Sequence, residues 1–269
     1  MAKENWNGKE NRKEKAISHT SEMQEKYSEE IKHAFFGSRI YPEKYLKTEI
    51  TYSPKNNKTK VEVINNYIVE ALLSIPGTST EYTTVLNFAS YKNPGGMFME
   101  GAMAQEEALC HDSFLYNVLS QKFFRENFYE PNQKKLNRAL YNDNLIYTPD
   151  VLFKKDECWK YINVITCAAP NANAAKQYCN VSDDEIETVM YNRIKAVLRV
   201  AYENNTTALY LGAFGCGVFG NSAETVAKIF KKLLTTEFAN VFEYIAFVIP
   251  DAPDKNYLTF KSVFADMIS

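Results

Sequence analysis

One pattern occurs twice in this chain and limits the fold more than any other: an apolar run of strand length, a glycine-rich loop, then a helix-like segment. The first run, at residues 83–88, leads into the first glycine loop (residues 86–97, counting the end of the run). The second run, at 208–213, leads into the second glycine loop (residues 211–221, counted in the same way). Seven of the ten glycines lie in or beside these loops. Strand–loop–helix units build α/β sheets, whose ligands bind beyond the carboxyl ends of the strands.

Other apolar runs alternate with segments of helical periodicity. Strand-like runs lie at 61–69, 145–153, 161–168 and 244–249, and helical patterns lie at 20–36, 105–123, 183–202 and 222–234. This alternation predicts an α/β sheet covered by helices on both faces. We divide the chain into a helical N-terminal extension, 1–58, and a main domain, 59–269. The charged residues 1–20 are expected to fray.

The overall composition excludes several classes of protein. The 31 basic and 33 acidic residues leave a net charge of −2, so no global field attracts nucleic acid or an anionic membrane, and we expect neither partner. Five cysteines without a CxxC spacing and three histidines predict neither a disulfide framework nor a metal site. No apolar run reaches the length of a membrane span. We expect a cytoplasmic protein without a cofactor.

Two glycine loops at strand ends are typical of an anion-binding site. Backbone N–H groups approach a phosphate closely where glycine removes the side chain, and a following helix N-terminus adds its dipole. Neither loop matches GxxxxGK[ST] or GxGxxG, which disfavours a P-loop and a Rossmann dinucleotide site. We therefore predict a diphosphate cradle. The alternative, that these glycines only form tight turns, remains open at this point.

The sequence Gln105-Glu106-Glu107 follows the first glycine loop at the start of a predicted helix. Acidic residues are common in a first helical turn because they complement the helix dipole. Two neighbouring carboxyl groups beside a bound anion should also raise each other's pKa. A carboxyl group of that kind can protonate a departing sugar oxygen, as glycosidases require.

Together these motifs resemble the bacterial-type poly(ADP-ribose) glycohydrolases of the macrodomain superfamily. The resemblance rests on three glycines, a short spacer and Gln-Glu-Glu, and here the spacer at 98–104 has seven residues. It extends to residues 147–151, 164–171, 215–221 and 248–251. One position departs from the signature, because Met97 stands where the third glycine is expected. If that position needs a positive φ, a Met side chain would strain it.

The resemblance implies a three-layer α/β/α macrodomain with a mixed sheet and assigns roles to individual residues. Glu107 would be the catalytic acid, and Glu106 would hold the ribose that is cleaved. The residues expected to bind or shape the rest of the ligand site are Asn87, Asn93, Gly95, Gly96, Gln105, Gly215, Cys216, Gly217, Val218, Phe219, Gly220 and Asn221. The mechanism that it implies uses no metal.

The expected function is hydrolysis of ribose–ribose bonds in ADP-ribose polymers, or of ADP-ribosyl linkages on modified proteins. Three alternatives remain open at this point. The first is a non-catalytic ADP-ribose-binding domain, and the second is a hydrolase for a different ADP-ribosylated substrate. The third is a plain nucleotide or phosphate-sugar hydrolase, whose activity would not depend on adenine. Cys216 and His111 are expected to have structural roles rather than catalytic ones.

Overall fold

The apolar runs form one mixed sheet in the computed structural model, which describes residues 2–77, 80 and 82–268. The strands are β1 (Arg39–Tyr41), β2 (Lys60–Ile64), β3 (Thr83–Phe88), β4 (Leu145–Lys155), β5 (Cys158–Cys167), β6 (Ala208–Leu211) and β7 (Tyr244–Val248). Their order in the sheet is β1-β4-β5-β3-β6-β7-β2. β4 runs antiparallel to its two neighbours, and the other pairings are parallel.

Helices connect and cover the strands. They are α1 (Ala2–Lys26), α2 (Ser28–Gly37), α3 (Glu43–Leu46), α4 (Ile68–Leu73), α5 (Gln105–His111), α6 (Leu115–Leu119), α7 (Lys122–Phe124), α8 (Glu130–Lys134), α9 (Ala172–Cys179), α10 (Asp183–Glu203), α11 (Ala223–Thr235) and α12 (Asn256–Val263). Short 3-10 turns lie at Phe98–Glu100 and Asn137–Ala139, and a π-helical segment lies at Arg125–Tyr129. The predicted cap of α10 is present, since the Ser182 hydroxyl accepts the N–H of Glu185 at 3.2 Å.

Alternate residues of each central strand point into two separate cores. In β3, Leu86 packs with α10, α11 and α12, whereas its neighbour Val85 packs with α1, α2 and α4 to α7. β6 behaves in the same way, with Leu209 on the first side and Tyr210 on the second. The sheet is therefore buried on both faces, and the predicted three-layer α/β/α arrangement with a mixed sheet is confirmed.

The N-terminal segment contains more helix than its composition suggested. The described part of residues 1–20, which were expected to fray, belongs to α1, which begins at Ala2. The helix predicted at 20–36 is in fact two helices, separated at Tyr27. β1 adds a strand from this segment to the main sheet beside β4. The boundary at 58/59 stays a prediction.

Two other elements are shorter than predicted. The strand at 61–69 stops at Ile64, and α4 follows it. The helix at 105–123 is interrupted after His111, where Lys154 donates its N–H to the carbonyl of Asp112 at 2.7 Å. That bond to β4 competes with helical continuation, so the chain turns before α6 begins. Within the described residues, no helix has the length and apolar character needed to cross a membrane.

Candidate active site

A cleft of about 550 Å³ lies at the carboxyl ends of β3, β6 and β7. Its walls come from α4, α5, the second glycine loop and the segment after β7. The predicted ligand-binding residues on its wall are Gln105, Gly215, Gly217, Val218 and Phe219. The other predicted site residues do not belong to the wall that the described residues form; they are Asn87, Asn93, Gly95, Gly96, Glu106, Glu107, Cys216, Gly220 and Asn221.

Gln105 fastens the start of α5 to the end of β3. Its Oε1 accepts the N–H of Phe88 and its Nε2 donates to the carbonyl of Leu86, both at 2.8 Å. The side chain therefore satisfies main-chain groups at the end of β3, beyond the last residue that pairs with β6. Because α5 is held here, the two following carboxyl groups have a defined position relative to β3.

Glu107 closes the segment that leads from the first glycine loop into α5. Its Oε1 accepts the N–H of Met97 and its Oε2 accepts the N–H of Ala104, both at 2.9 Å. The second of these bonds satisfies the N–H of the residue that precedes α5, as the acidic partner of a capping box does. The side chain is only 6% exposed. Both carboxylate oxygens are therefore oriented by the main chain.

Glu106 lies deeper, against the end of β3. Its Oε1 accepts from Asn87 Nδ2 at 3.2 Å, and its Oε2 accepts the N–H of Ser90 at 2.6 Å. Burial raises the pKa of Glu106 to about 8, against the opposing effect of these two hydrogen bonds. The carboxyl group is thus neutral near pH 7, and Asn87 supports it from the floor of the site rather than from the cleft wall.

The buried Glu106 predicts a pH dependence of stability. Between its ordinary pKa of 4.5 and the folded value of about 8, the folded state keeps a proton that the unfolded chain has lost. Its contribution to stability is therefore complete below pH 4.5 and is lost as the pH rises to 8. In Glu106→Gln this titration is absent, so we expect the Tm of the wild type to fall relative to the variant across that window. Parallel Tm curves would contradict this, and the exposed Glu187→Gln is the control.

The two glycines of the first glycine loop lie directly against the carboxyl groups and α6. Gly95 and Gly96 have φ values of +67° and +62°, which favour glycine. A Cβ on Gly96 would lie 2.5 Å from Glu107 Oε1 and 3.0 Å from Glu106 Oε2. Gly96 thus marks the point where both carboxyl groups meet. Asn93 lies at the exposed tip of the loop, and its carbonyl accepts the N–H of Gly96 at 3.1 Å.

Met97 occupies its position without backbone strain. Its φ is −112°, so the concern that a positive φ is needed there does not apply. Its side chain is 50% exposed, and it is the N–H of Met97 that Glu107 accepts. The part of this residue that contacts the site is therefore main chain, which glycine and methionine supply equally.

We expect Met97→Gly to change kcat by less than about threefold, because the N–H that reaches Glu107 is retained and no strain is released. Glycine adds only backbone freedom, which costs up to about 1 kcal/mol. The check is kcat for ADP-ribose release by both proteins on the same polymer preparation. A large activation in Met97→Gly would show instead that the methionine side chain obstructs the substrate.

The second glycine loop is braced from below by Asn221. Its Nδ2 donates to the carbonyls of Pro170 at 2.8 Å and Gly215 at 2.9 Å. Gly215 has φ +74°, and an added Cβ would lie 2.6 Å from Ala169 Cβ. Gly220 lies similarly close to the Asn173 side chain. These residues shape the loop, whereas open space surrounds Gly217 on the cleft side.

Val218 and Phe219 lie between Gly215 and Gly220, the two points where the second glycine loop is held. Val218 is 88% exposed at the cleft wall, and its carbonyl accepts from Asn173 Nδ2 at 3.0 Å. The Cys216 thiol faces inward and approaches the carbonyl of Phe214 at 3.6 Å. Burial raises the pKa of Cys216 to about 12, so its nucleophilic thiolate is scarce at neutral pH.

An aromatic group that sequence reasoning missed joins the two glycine loops. Tyr91 from the first loop stacks on Tyr141, with ring centres 4.1 Å apart, and Tyr141 meets the edge of Phe219 at 6.1 Å. The buried Arg193 holds the segment before β4, through Asp143 Oδ1 at 2.5 Å and the carbonyl of Leu140 at 3.1 Å. The sequence offered no signal for this group, because its members are far apart along the chain.

His111 is a second residue whose position the sequence did not predict. It lines the cleft one turn after Glu107, and its Nε2 is buried without a hydrogen-bond partner among the described residues. Burial lowers its pKa. In the described part of the chain, no three His, Cys, Asp or Glu side chains are grouped so that they could hold a metal ion.

Comparisons with known proteins agree on one family. The family model described as the catalytic domain of microbial-type PARG matches residues 10–156. A solved poly(ADP-ribose) glycohydrolase from Thermomonospora curvata is 30% identical, with a TM-score of 0.82, covering 95% of this chain and 100% of that one. The Deinococcus radiodurans enzyme in complex with ADP-ribose is 32% identical, with a TM-score of 0.78, covering 88% and 98%. The Thermomonospora curvata enzyme has also been solved with the inhibitor ADP-HPD, and that structure has a TM-score of 0.82 at 30% identity, covering 94% and 99%. No curated protein sequence matches the chain.

Proposed function

We infer what this site does from one premise: the chain belongs to the family of microbial-type poly(ADP-ribose) glycohydrolase catalytic domains. It is therefore a glycosidase that hydrolyses ADP-ribose polymers at their ribose–ribose O-glycosidic bonds. The observation that carries the assignment of the site is the meeting of two carboxyl groups at Gly96, beside a cleft at the strand ends. The macrodomain assignment forms part of this proposal.

Glu107 is the residue that we assign as general acid. Its carboxyl group, once protonated, transfers the proton to the leaving ribose oxygen as the bond from C1 to that oxygen breaks. A water oxygen bonds to C1, and the water returns a proton to the carboxylate, so the residue is restored. The N–H groups of Met97 and Ala104 support this assignment because they orient the carboxylate without covering it with another side chain.

Glu106 has a different task in this proposal. A carboxyl group with a pKa of about 8 is neutral at pH 7, so it can donate a hydrogen bond to a ribose hydroxyl as well as accept one. Two neighbouring carboxyl groups in different environments can thus divide the work between binding and proton transfer. Asn87 and Ser90 hold Glu106 in place.

The two glycine loops would bind the ADP moiety. The open space at Gly217 and the cleft wall at Gly215 support an approach of the diphosphate to main-chain N–H groups. Phe219 lies on the same wall and can contact the ribose or the adenine. We extend the proposal to polymers carried by modified proteins and to a cytoplasmic site of action.

The test is release of free ADP-ribose from an automodified, poly(ADP-ribosyl)ated protein, followed over time by chromatography. A mono-ADP-ribosylated protein serves as the second substrate, and ADP-HPD as the inhibitor. We expect release from the polymer and its loss when ADP-HPD is present. Binding of ADP-ribose without any release would favour a non-catalytic reader, and release from the second substrate alone would indicate a hydrolase for a different linkage.

A further inference from the structure

The N-terminal helix contacts the segment that follows the first glycine loop. Arg12 Nε donates to the carbonyl of Gly101 at 2.8 Å, in a part-buried position. Gly101 has φ +74°, and an added Cβ would overlap the carbonyl oxygen of Lys9. The backbone of α1 and the backbone at Gly101 therefore lie in direct contact, with no side chain between them.

The rest of α1 packs against the protein through one face of the helix. Ala16 is fully buried and Met23 nearly so, four and eleven positions after Arg12, which places all three on the same side of the helix. His19, on that side, contacts the carbonyl of Ser113 through Nε2 at 2.8 Å. The hydrogen bond from Arg12 to Gly101 thus lies at one end of the face by which α1 packs against the rest of the protein, and is not an isolated surface contact.

Gly101 belongs to a compact turn that begins at Met97. The carbonyl of Met97 accepts the N–H groups of Glu100 and Ala102, both at 3.1 Å, and the carbonyl of Phe98 accepts the N–H of Gly101 at 3.0 Å. The turn can move only as a unit while these bonds persist. Its first N–H is the one that Glu107 accepts, so a shift at Gly101 is transmitted to the carboxylate of Glu107.

We propose that Arg12 is a positioning residue: by holding the Gly101 carbonyl it fixes the 97–102 turn, and through the Met97 N–H it aligns the Glu107 carboxylate. The N-terminal helix is then part of the active site, although none of its described residues lines the cleft. This inference rests on the proposed role of Glu107 as the general acid.

The test compares Arg12→Ala with Lys13→Ala, which removes the neighbouring, exposed cation of the same helix. We expect kcat in Arg12→Ala to fall about ten- to a hundredfold, since small displacements of catalytic groups cost that much. The Kd for ADP-ribose should stay within about twofold, because the cleft wall is untouched. Added guanidinium should restore part of the activity of Arg12→Ala and should leave Lys13→Ala unchanged. A uniform loss of binding and kcat would overturn the proposal and indicate a merely structural contact.

Hydrogen exchange gives a readout that does not depend on catalysis. The amide of Met97 should exchange faster in Arg12→Ala than in the wild type or Lys13→Ala, because its bond to Glu107 is the one that a shift of the whole turn loosens. Unchanged exchange would overturn the inference even if the wild type is active. Inactive wild type with faster exchange in the variant would instead contradict the proposed function and leave the positioning contact supported. If Arg12→Ala does not fold, Arg12→Lys retains the charge but changes the geometry of the donor, and the same comparisons apply.

Discussion

Replacing Glu107 with glutamine is expected to lower kcat by about two to four orders of magnitude, the usual contribution of a general acid. The amide cannot give a proton to the leaving oxygen. In the wild type, the two carboxylate oxygens of Glu107 accept one hydrogen bond each, from the N–H groups of Met97 and Ala104. The single amide oxygen of the glutamine can still accept one of these two hydrogen bonds. The fold of the loop should therefore persist, and the Kd for ADP-ribose should change little. The measurements are polymer hydrolysis and calorimetric titration with ADP-ribose.

The matched control for this variant is Glu187→Gln, the same chemical change at an exposed carboxylate of α10 that does not line the cleft. It should leave kcat and the Kd unchanged. If Glu107→Gln loses ADP-ribose binding together with activity, the carboxylate is a structural tie between Met97 and Ala104, and its assignment as the general acid is mistaken.

Gly96→Ala should have the second largest effect, because the new methyl group needs the space that both carboxyl groups occupy. It would lie 2.5 Å from Glu107 Oε1, and the left-handed backbone of Gly96 adds a cost of about 1–2 kcal/mol. We expect kcat to fall at least about a hundredfold, since the carboxyl groups must shift from their productive positions. The check is kcat together with the free energy of unfolding.

Gly217→Ala supplies the comparison for the stability part of this prediction. It makes the same substitution in open space, so its free energy of unfolding should stay close to that of the wild type. If Gly96→Ala is as stable and as active as the wild type, then the space beside Glu106 and Glu107 is not limiting, and the close approach seen at Gly96 has no catalytic importance.

Much of the sheet could be predicted because its signals are local. The run at 83–88 is apolar, short and bounded by a glycine loop, and the structure has β3 at those residues. The Ser182 cap of α10 was equally readable. The start of α1 could not be predicted, because only one face of this charged helix packs against the rest of the protein. Its buried apolar residues are as widely spaced as Ala16 and Met23, so they give little apolar periodicity.

The structure places five of the predicted site residues on the cleft wall, but the hydrogen bonds that the site residues make could not be predicted from the sequence. Gln105 and Asn221 were expected near the ligand, yet their side chains satisfy main-chain groups, a role that residue type alone does not reveal. The opposite holds for Met97, where the signature suggested strain and only the backbone angle shows its absence. Sequence patterns report which residues gather at a strand end, whereas hydrogen-bond geometry depends on the packed chain.

The pairing of β2 with β7 has a consequence for biosynthesis. Val61 of β2 pairs with Ile245 of β7. β2 is synthesised early, so this pairing cannot form until β7, which is synthesised late, has emerged from the ribosome. The cleft wall needs both partners, because Tyr67 and Ile68 follow β2 while Val248 ends β7. We therefore expect a nascent chain that already contains Glu107 to be unable to bind ADP-ribose until translation has passed β7.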